Sequence, residues 1–221
     1  MTSKFIKKWE DDGKRRGIRA ALKPSSPLKP RIELAIRRVE AQIQYLESAL
    51  NRLSERDRVL FSRVVDAYSR HDIQRANILA NELAELRKMA GFMMNAQLSL
   101  ERVVLRLKTV SQLGNVVVTL APATKVLESV RSGVAGILPN AERELGQVGT
   151  ILNEIMVEAG QSMGMTPDFE VANEDARKIL SEAAMVAEQR MKEKFPELPT
   201  LTRSGESLGK HREDIDYSDY R

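Results

Sequence analysis

Residues 30–53 read PRIELAIRRVEAQIQYLESALNRL, and residues 76–107 read ANILANELAELRKMAGFMMNAQLSLERVVLRL. In the first stretch and its continuation, apolar side chains recur at Ile32, Ile36, Val39, Ile43, Leu46, Leu50, Leu53, Leu60 and Val64. In the second they recur at Ala76, Leu79, Leu83, Leu86, Ala90, Met93, Leu100, Val104 and Leu107. The steps are mostly three or four, the spacing of a narrow coiled-coil seam rather than the wider stripe of an ordinary core helix. Tyr68, Ser69, Arg70, His71 and Asp72 separate the two runs, with Asp72 as the N-cap of the second helix. So short a connection makes the helices antiparallel neighbours. At about 1.5 Å per residue, each arm is on the order of 60 Å long. The pattern predicts an all-α fold: an elongated antiparallel hairpin of two long helices, with shorter C-terminal helices packing on it.

Composition agrees. Of 221 residues, 30% are charged and only 5% aromatic, a long-helix composition with little bulk for a globular core. The absence of cysteine excludes disulfides, thiol catalysis and cysteine metal sites. No run approaches the roughly 18 apolar residues of a spanning helix. The basic N-terminus lacks a continuous apolar core, so it does not read as a secretory signal. The expected location is cytoplasmic. The net charge of +4 conceals a gradient: residues 1–38 carry twelve basic and four acidic side chains, residues 154–221 nine basic and fifteen acidic. Each end can attract the other, or a separate partner.

Residues 1–29 stand apart as a basic amphipathic segment and proline-rich linker. Phe5, Ile6 and Trp9 share one face of a short helix, flanked by Lys4, Lys7 and Lys8. Lys14, Arg15, Arg16 and Arg19 continue the basic character, and Pro24, Pro27 and Pro30 interrupt any helix. Two readings stand side by side. Phe5, Ile6 and Trp9 can dock on the hairpin as a hydrophobic clasp, or anchor the chain at a membrane surface with the lysines on anionic headgroups. A single anchor of this length binds weakly, so the second reading needs many copies on one polymer.

The helical core is placed at residues 30–160. Asp57 falls where the seam calls for an apolar residue and reads as a mild irregularity or a register device near the tip. Gly91 suggests close approach of a partner helix, and Gln97 fixes register or lies on a partly exposed seam. Gly114, followed by Val116, Val117 and Val118, marks a hinge between the second helix and a third whose first turn holds Pro122. Gly133, Gly136 and Pro139 break the chain again, and Asn140 is taken as the cap of a fourth helix. Its glycines, Gly146 and Gly149, weaken it and call for a partner. A last, regulatory helix occupies residues 161–194, capped by Asn173 and stopped by Phe195 and Pro196. Residues 195–221 form a tail, unstructured by composition after Thr202. Within it Pro196 and Pro199, like Leu198 and Leu201, lie three apart. That is one turn of polyproline II, so each pair shares a face and can be read in a groove; the alternative is a linker in which the prolines only end the helix.

No glycine-rich phosphate loop is present. His71 and His211 have no neighbours at metal-ligand spacing, and no nucleophile–base–orienter set stands out. The expected protein is not an enzyme and needs no metal or cofactor.

The order of parts resembles the ESCRT-III proteins, above all their archaeal cell-division members, the CdvB group. The likeness covers roughly residues 1–201 and includes Ala76, Ala80, Glu82, Leu83, Leu86, Arg87 and Lys88 within residues 72–89, and Leu120, Ala121 and Pro122 followed by Leu127. It implies subunits that polymerise with themselves and with paralogues on the inner face of the plasma membrane at the division site. There they constrict and cut narrow necks. In the closed state of such proteins the C-terminal helices fold on the hairpin; in the open state the second and third helices merge, near Gly114 here. Residues 195–201 are similar to the proline-containing MIT-interacting motif. This implies recycling by an MIT-domain AAA ATPase that binds Pro196, Leu198, Pro199 and Leu201. The founding member carries a C-terminal winged-helix-like module for which the residues after Leu201 are too few, so the likeness implies one of the shorter paralogues. Two rivals remain: a basic coiled-coil nucleic-acid-binding protein, suggested by the N-terminal cluster and the pI near 9.3, and a scaffold without a lipid role.

Overall fold

The computed structural model describes residues 27–113, 116–163 and 169–195. Among the described residues five helices follow one another: α1 (Leu28–Ser69), α2 (Ile73–Leu113), α3 (Val116–Val134), α4 (Pro139–Met163) and α5 (Phe169–Lys194). The first two, of 42 and 41 residues, form the expected hairpin. Helix α3 packs on α2, α4 packs on α1 and α3, and α5 packs on α2 and α3.

The turn at the hairpin tip is locally determined. The Asp72 N–H donates to the Ala67 carbonyl and the His71 N–H to the Tyr68 carbonyl, each at 3.0 Å, which closes α1 in a Schellman motif. His71 holds the left-handed position at φ 61°, where glycine is the commoner choice. Asp72 then caps α2, its Oδ1 accepting the Arg75 N–H at 3.1 Å.

The seam positions lie inside as the spacing predicts, with Ile43 and Leu79 only partly buried. The narrow seam, however, describes only the half of the hairpin nearest the tip. There α2 buries Ala76, Leu83, Leu86 and Ala90 and little else. From Met93 to Val104 it buries Met93, Met94, Ala96, Leu98, Ser99, Leu100, Val103 and Val104, so this stretch is a core helix covered on most sides by α1, α3 and α5. One chain thus combines a two-helix rod with a five-helix bundle at its base.

Several local expectations give way. Helix α1 begins at Leu28 rather than Pro30, and Pro30 fits because the first-turn N–H groups have no helical partner. Pro122 lies inside α3, not in its first turn, because the helix starts at Val116 and absorbs the valines. The pattern of burial at Leu120, Ala121, Ala123, Val126 and Leu127 outweighs the weak helix preference of that run. Pro139, with its preset φ, is the first residue of α4, so Asn140 is not the cap. Asn173 is an interior residue of α5, which starts at Phe169. Gly91 meets no partner: a Cβ there would find nothing within 4 Å. Close approach occurs instead on α4. A Cβ on Gly146 would lie 3.3 Å from the Arg131 guanidinium carbon, and one on Gly149 would lie 3.4 Å from Leu127. The first neighbour is the flexible end of a side chain and the second lies at ordinary van der Waals distance, so α4 passes close to α3 at both glycines without strictly requiring them.

Candidate functional site: the closed C-terminal interface

Asp57 is no mild irregularity. It is 2% exposed, and its carboxylate takes both arms of a fork from Arg87: Nε donates to Oδ1 at 2.6 Å and Nη2 to Oδ2 at 3.1 Å. A buried carboxylate needs such a partner, and the planar guanidinium matches it in two parallel bonds. The same guanidinium carbon stands 5.8 Å from the ring centre of Phe61 and 5.8 Å from that of Phe195. Phe61 comes from α1. Phe195 comes from the residue just past α5, is 5% exposed, and continues the helix through an N–H bond to the Met191 carbonyl at 3.0 Å. Phe195 is therefore the terminal contact of α5 and not the head of a loose tail. Three segments far apart in sequence converge on one cation.

Both partners could have been found in the sequence. Pairing an antiparallel hairpin about Asp72 places position 87 opposite position 57, fifteen residues to either side. Ala187, Met191 and Phe195 continue the α5 stripe at steps of four.

Above this latch, α5 runs antiparallel to α2. Ala172, Ala176, Ile179, Ala183 and Ala187 form its buried face. Alanines permit close approach but remove little apolar surface from water, so the apolar contact is carried by Ile179 and Phe195, at about 1.5–3 kcal/mol each, together with the partly buried Leu180, Val186 and Met191. Charge flanks this face: Arg102 pairs with Glu182, Arg106 with Asp175 at 3.7 Å, and the Lys194 ammonium reaches the Asn51 side-chain oxygen at 3.3 Å. On α5 itself, Lys178 donates a hydrogen bond to Glu174 and holds its carboxyl below the usual range.

Helix α4 is held on α1 with the same polarity. Arg31 bonds Glu154 and Glu158 at 2.7 Å each, and Arg38 bonds Gln147 at 2.7 Å. Arg31 and Glu158 are each only 18% exposed at the side chain, so this pair is screened less than a surface bridge. Helix α4 buries the larger side chains Leu145, Val148, Leu152 and Ile155, whereas the fully buried positions of α5 are mostly alanines.

The other candidate residues lie outside the described residues: Lys4, Phe5, Ile6, Lys7, Lys8, Trp9, Lys14, Arg15, Arg16 and Arg19; the hinge Gly114; and the strip Pro196, Leu198, Pro199 and Leu201. The strip begins at the residue after the latch. Among the described residues no group of three or more His, Cys, Asp or Glu is placed to hold a metal ion. No described helix is long and apolar enough to cross a membrane.

No protein-family model and no solved structure matches the chain. Cell division protein B1 of Sulfolobus acidocaldarius does: it is 41% identical over 199 residues, which cover 90% of this chain and 91% of the relative. The chain belongs to the CdvB-type ESCRT-III family. Cell division protein B of the same organism is 36% identical over 162 residues, covering 73% of this chain and 62% of the relative.

For a CdvB-type chain the arrangement is a closed one. Both C-terminal helices are seated on the hairpin, acidic or neutral side chains on α4 and α5 meeting arginines on α1 and α2. Among the described residues, Arg31 with Glu154 and Glu158 joins the basic first part of the sequence to its acidic last part.

Proposed function

We propose that this CdvB-type chain is a subunit of membrane-remodelling filaments acting in cell division, described here in its closed, resting form. The observation that carries this reading is the construction of the α5 contact: an alanine-rich face, two partly exposed ion pairs and one aromatic latch cover the flank of a long apolar hairpin. A contact so made is displaceable, and its loss uncovers surface that a neighbouring subunit can cover. The membership in a family whose relatives are named for cell division supports the setting. The chain then acts by assembling, as an ATPase substrate, not as an enzyme.

Attachment to the inner face of the membrane is assigned to the N-terminal segment. Phe5→Asp with Trp9→Asp is expected to reduce co-sedimentation with anionic liposomes several-fold; unchanged pelleting would leave the clasp reading of these rings in place. The nucleic-acid reading predicts instead a gel shift of random duplex by the unmodified chain.

Recycling is assigned to an MIT-domain ATPase gripping Pro196, Leu198, Pro199 and Leu201. Leu198→Asp with Leu201→Asp should abolish binding to the isolated MIT domain while leaving Phe195 and the latch unaltered; equal titration curves for the two forms would rule out the strip. The test of the whole reading is incubation of the full chain with anionic liposomes followed by electron microscopy. Coated or tubulated vesicles are expected, and bare vesicles at saturating protein would count against it.

A further inference from the structure

Toward the tip, each arm of the hairpin carries a second, outward stripe at the same three–four spacing as the seam. On α1 it is Arg52, Arg56, Val59 and Arg63; on α2 it is Ile78, Glu82, Glu85, Met89 and Phe92, all of them exposed. Ile78 is 68% exposed and Phe92 55%, so both are wet on a helix that otherwise buries its apolar residues. The two stripes differ in sign. Arg56 and Arg63 on α1, and Glu82 and Glu85 on α2, have no ion-pair partner among the described residues. Arg52 donates to the Ser48 carbonyl at 3.3 Å.

The α2 stripe runs on beneath α5. Ile78, Glu85 and Phe92 lie seven apart, and the same steps lead to Ser99, which is buried, and Arg106, which pairs with Asp175 of α5. The α2 seam keeps its heptad from Ala76 to Leu107, so these positions hold one face throughout. Helix α5 covers the base end of a face whose tip end is bare. The base end carries Arg102 and Arg106 and takes carboxylates from α5. The tip end carries Glu82 and Glu85 and calls for a basic partner.

We propose that this partner is α1 of a second copy of the chain, its stripe from Arg52 to Arg63 lying along the neighbour's stripe from Ile78 to Phe92. Register supports the pairing as well as charge. Within one hairpin Asp57 is level with Arg87. When two hairpins stand side by side, tips together and without axial shift, α1 of one keeps that level against α2 of the next. Val59 is then level with Glu85, Arg52 with Phe92, and Arg63 comes beside Glu82. Arg56 is one turn from Glu85, and Glu55, held in its own helix by Arg58 at 3.8 Å, comes beside Lys88. Guanidinium groups meet carboxylates or an aromatic face, and lysine meets glutamate. Because α1 of one chain meets α2 of the next, the contact is heterologous and repeats as a row. Helix α5 confines it to the tip half, so it is weak between closed chains. For its setting the inference rests on the filament reading.

The absence of cysteine lets two singly substituted full-length chains be mixed. Ser62→Cys and Asn81→Cys sit at the edges of the two stripes and come beside each other in this register. A short bismaleimide should join the two chains in preference to either one with itself, in concentrated solution and on anionic liposomes. Arg52→Glu, Arg56→Glu and Arg63→Glu combined in the Ser62→Cys chain should lower the yield several-fold. Glu82→Arg with Glu85→Arg in the Asn81→Cys chain should then restore it. Circular dichroism of each variant checks that the helices are retained. A higher yield with Lys88→Cys than with Asn81→Cys would shift the register by a heptad and overturn the unstaggered pairing. A dominant Ser62→Cys homodimer would place α1 on α1 and overturn the choice of partner face. Coated vesicles without the mixed crosslink would overturn the inference and leave the filament reading standing. Bare vesicles with the crosslink in solution would do the reverse, and its absence from both would overturn the inference whatever the vesicles show.

Discussion

Asp57→Ala should lower the unfolding free energy by about 3–5 kcal/mol, the usual consequence of leaving one member of a buried pair without its partner. Arg87 is 15% exposed at the side chain and Asp57 3%, so water cannot readily replace the lost carboxylate. The substitution also loosens the guanidinium on which Phe195 rests, so the end of α5 should open before the hairpin does. Denaturant titration followed by circular dichroism measures the first effect, and hydrogen exchange along residues 183–195 the second. Arg87→Ala strands the carboxylate in turn and should cost a similar amount. The informative variant is the pair Asp57→Leu with Arg87→Met. If the single losses reflect uncompensated charge, the apolar pair recovers hairpin stability, yet α5 still opens because the stacking surface for Phe195 is gone. A loss below about 1 kcal/mol for Asp57→Ala would show that the bridge behaves as an exposed one.

Removing residues 161–221 should convert the chain from a monomer to assemblies visible by negative stain and sedimenting many-fold faster. The deletion strips away the buried Ala172, Ala176, Ile179, Ala183, Ala187 and Phe195 and leaves their counterparts on α2 and α3 facing water. It also frees Arg102 and Arg106 from Glu182 and Asp175. A contiguous apolar flank beside a basic one is a strong drive to association. Because α4 remains seated through Leu145, Val148, Leu152 and Ile155, the truncated chain should keep α1–α4 helical and lose only the signal of α5 and the end of α4. A persistently monomeric product would show that α5 does not restrain assembly.

Much of this was legible in the sequence because it rests on short-range rules. The three–four spacing of apolar residues identifies the hairpin. Asp72 as a cap follows from its place three residues before a free N–H. The acidic back and basic front anticipate the pairing of Arg31 with Glu154 and Glu158. Helix boundaries were less legible: Pro122 and Asn173 carry strong local signals for a first turn and a cap, yet both sit in helix interiors. Local preferences of about 1 kcal/mol are small beside the burial of a whole helix face.

Short-range spacing and composition were enough for the two long arms, their antiparallel return, the turn and the polarity of charge, since each depends on residues a few positions apart or on totals. It took the packing of the folded chain to make Asp57 an inside residue, to turn α2 from a seam into a core helix at Met93, and to bring Phe195 onto Arg87. Asp57 and Arg87 are thirty residues apart and depend on the register of the whole hairpin. Phe195 reaches the same guanidinium only because α5 lies antiparallel along α2. A buried charge has no local signature. Its meaning is fixed by what the fold brings opposite to it.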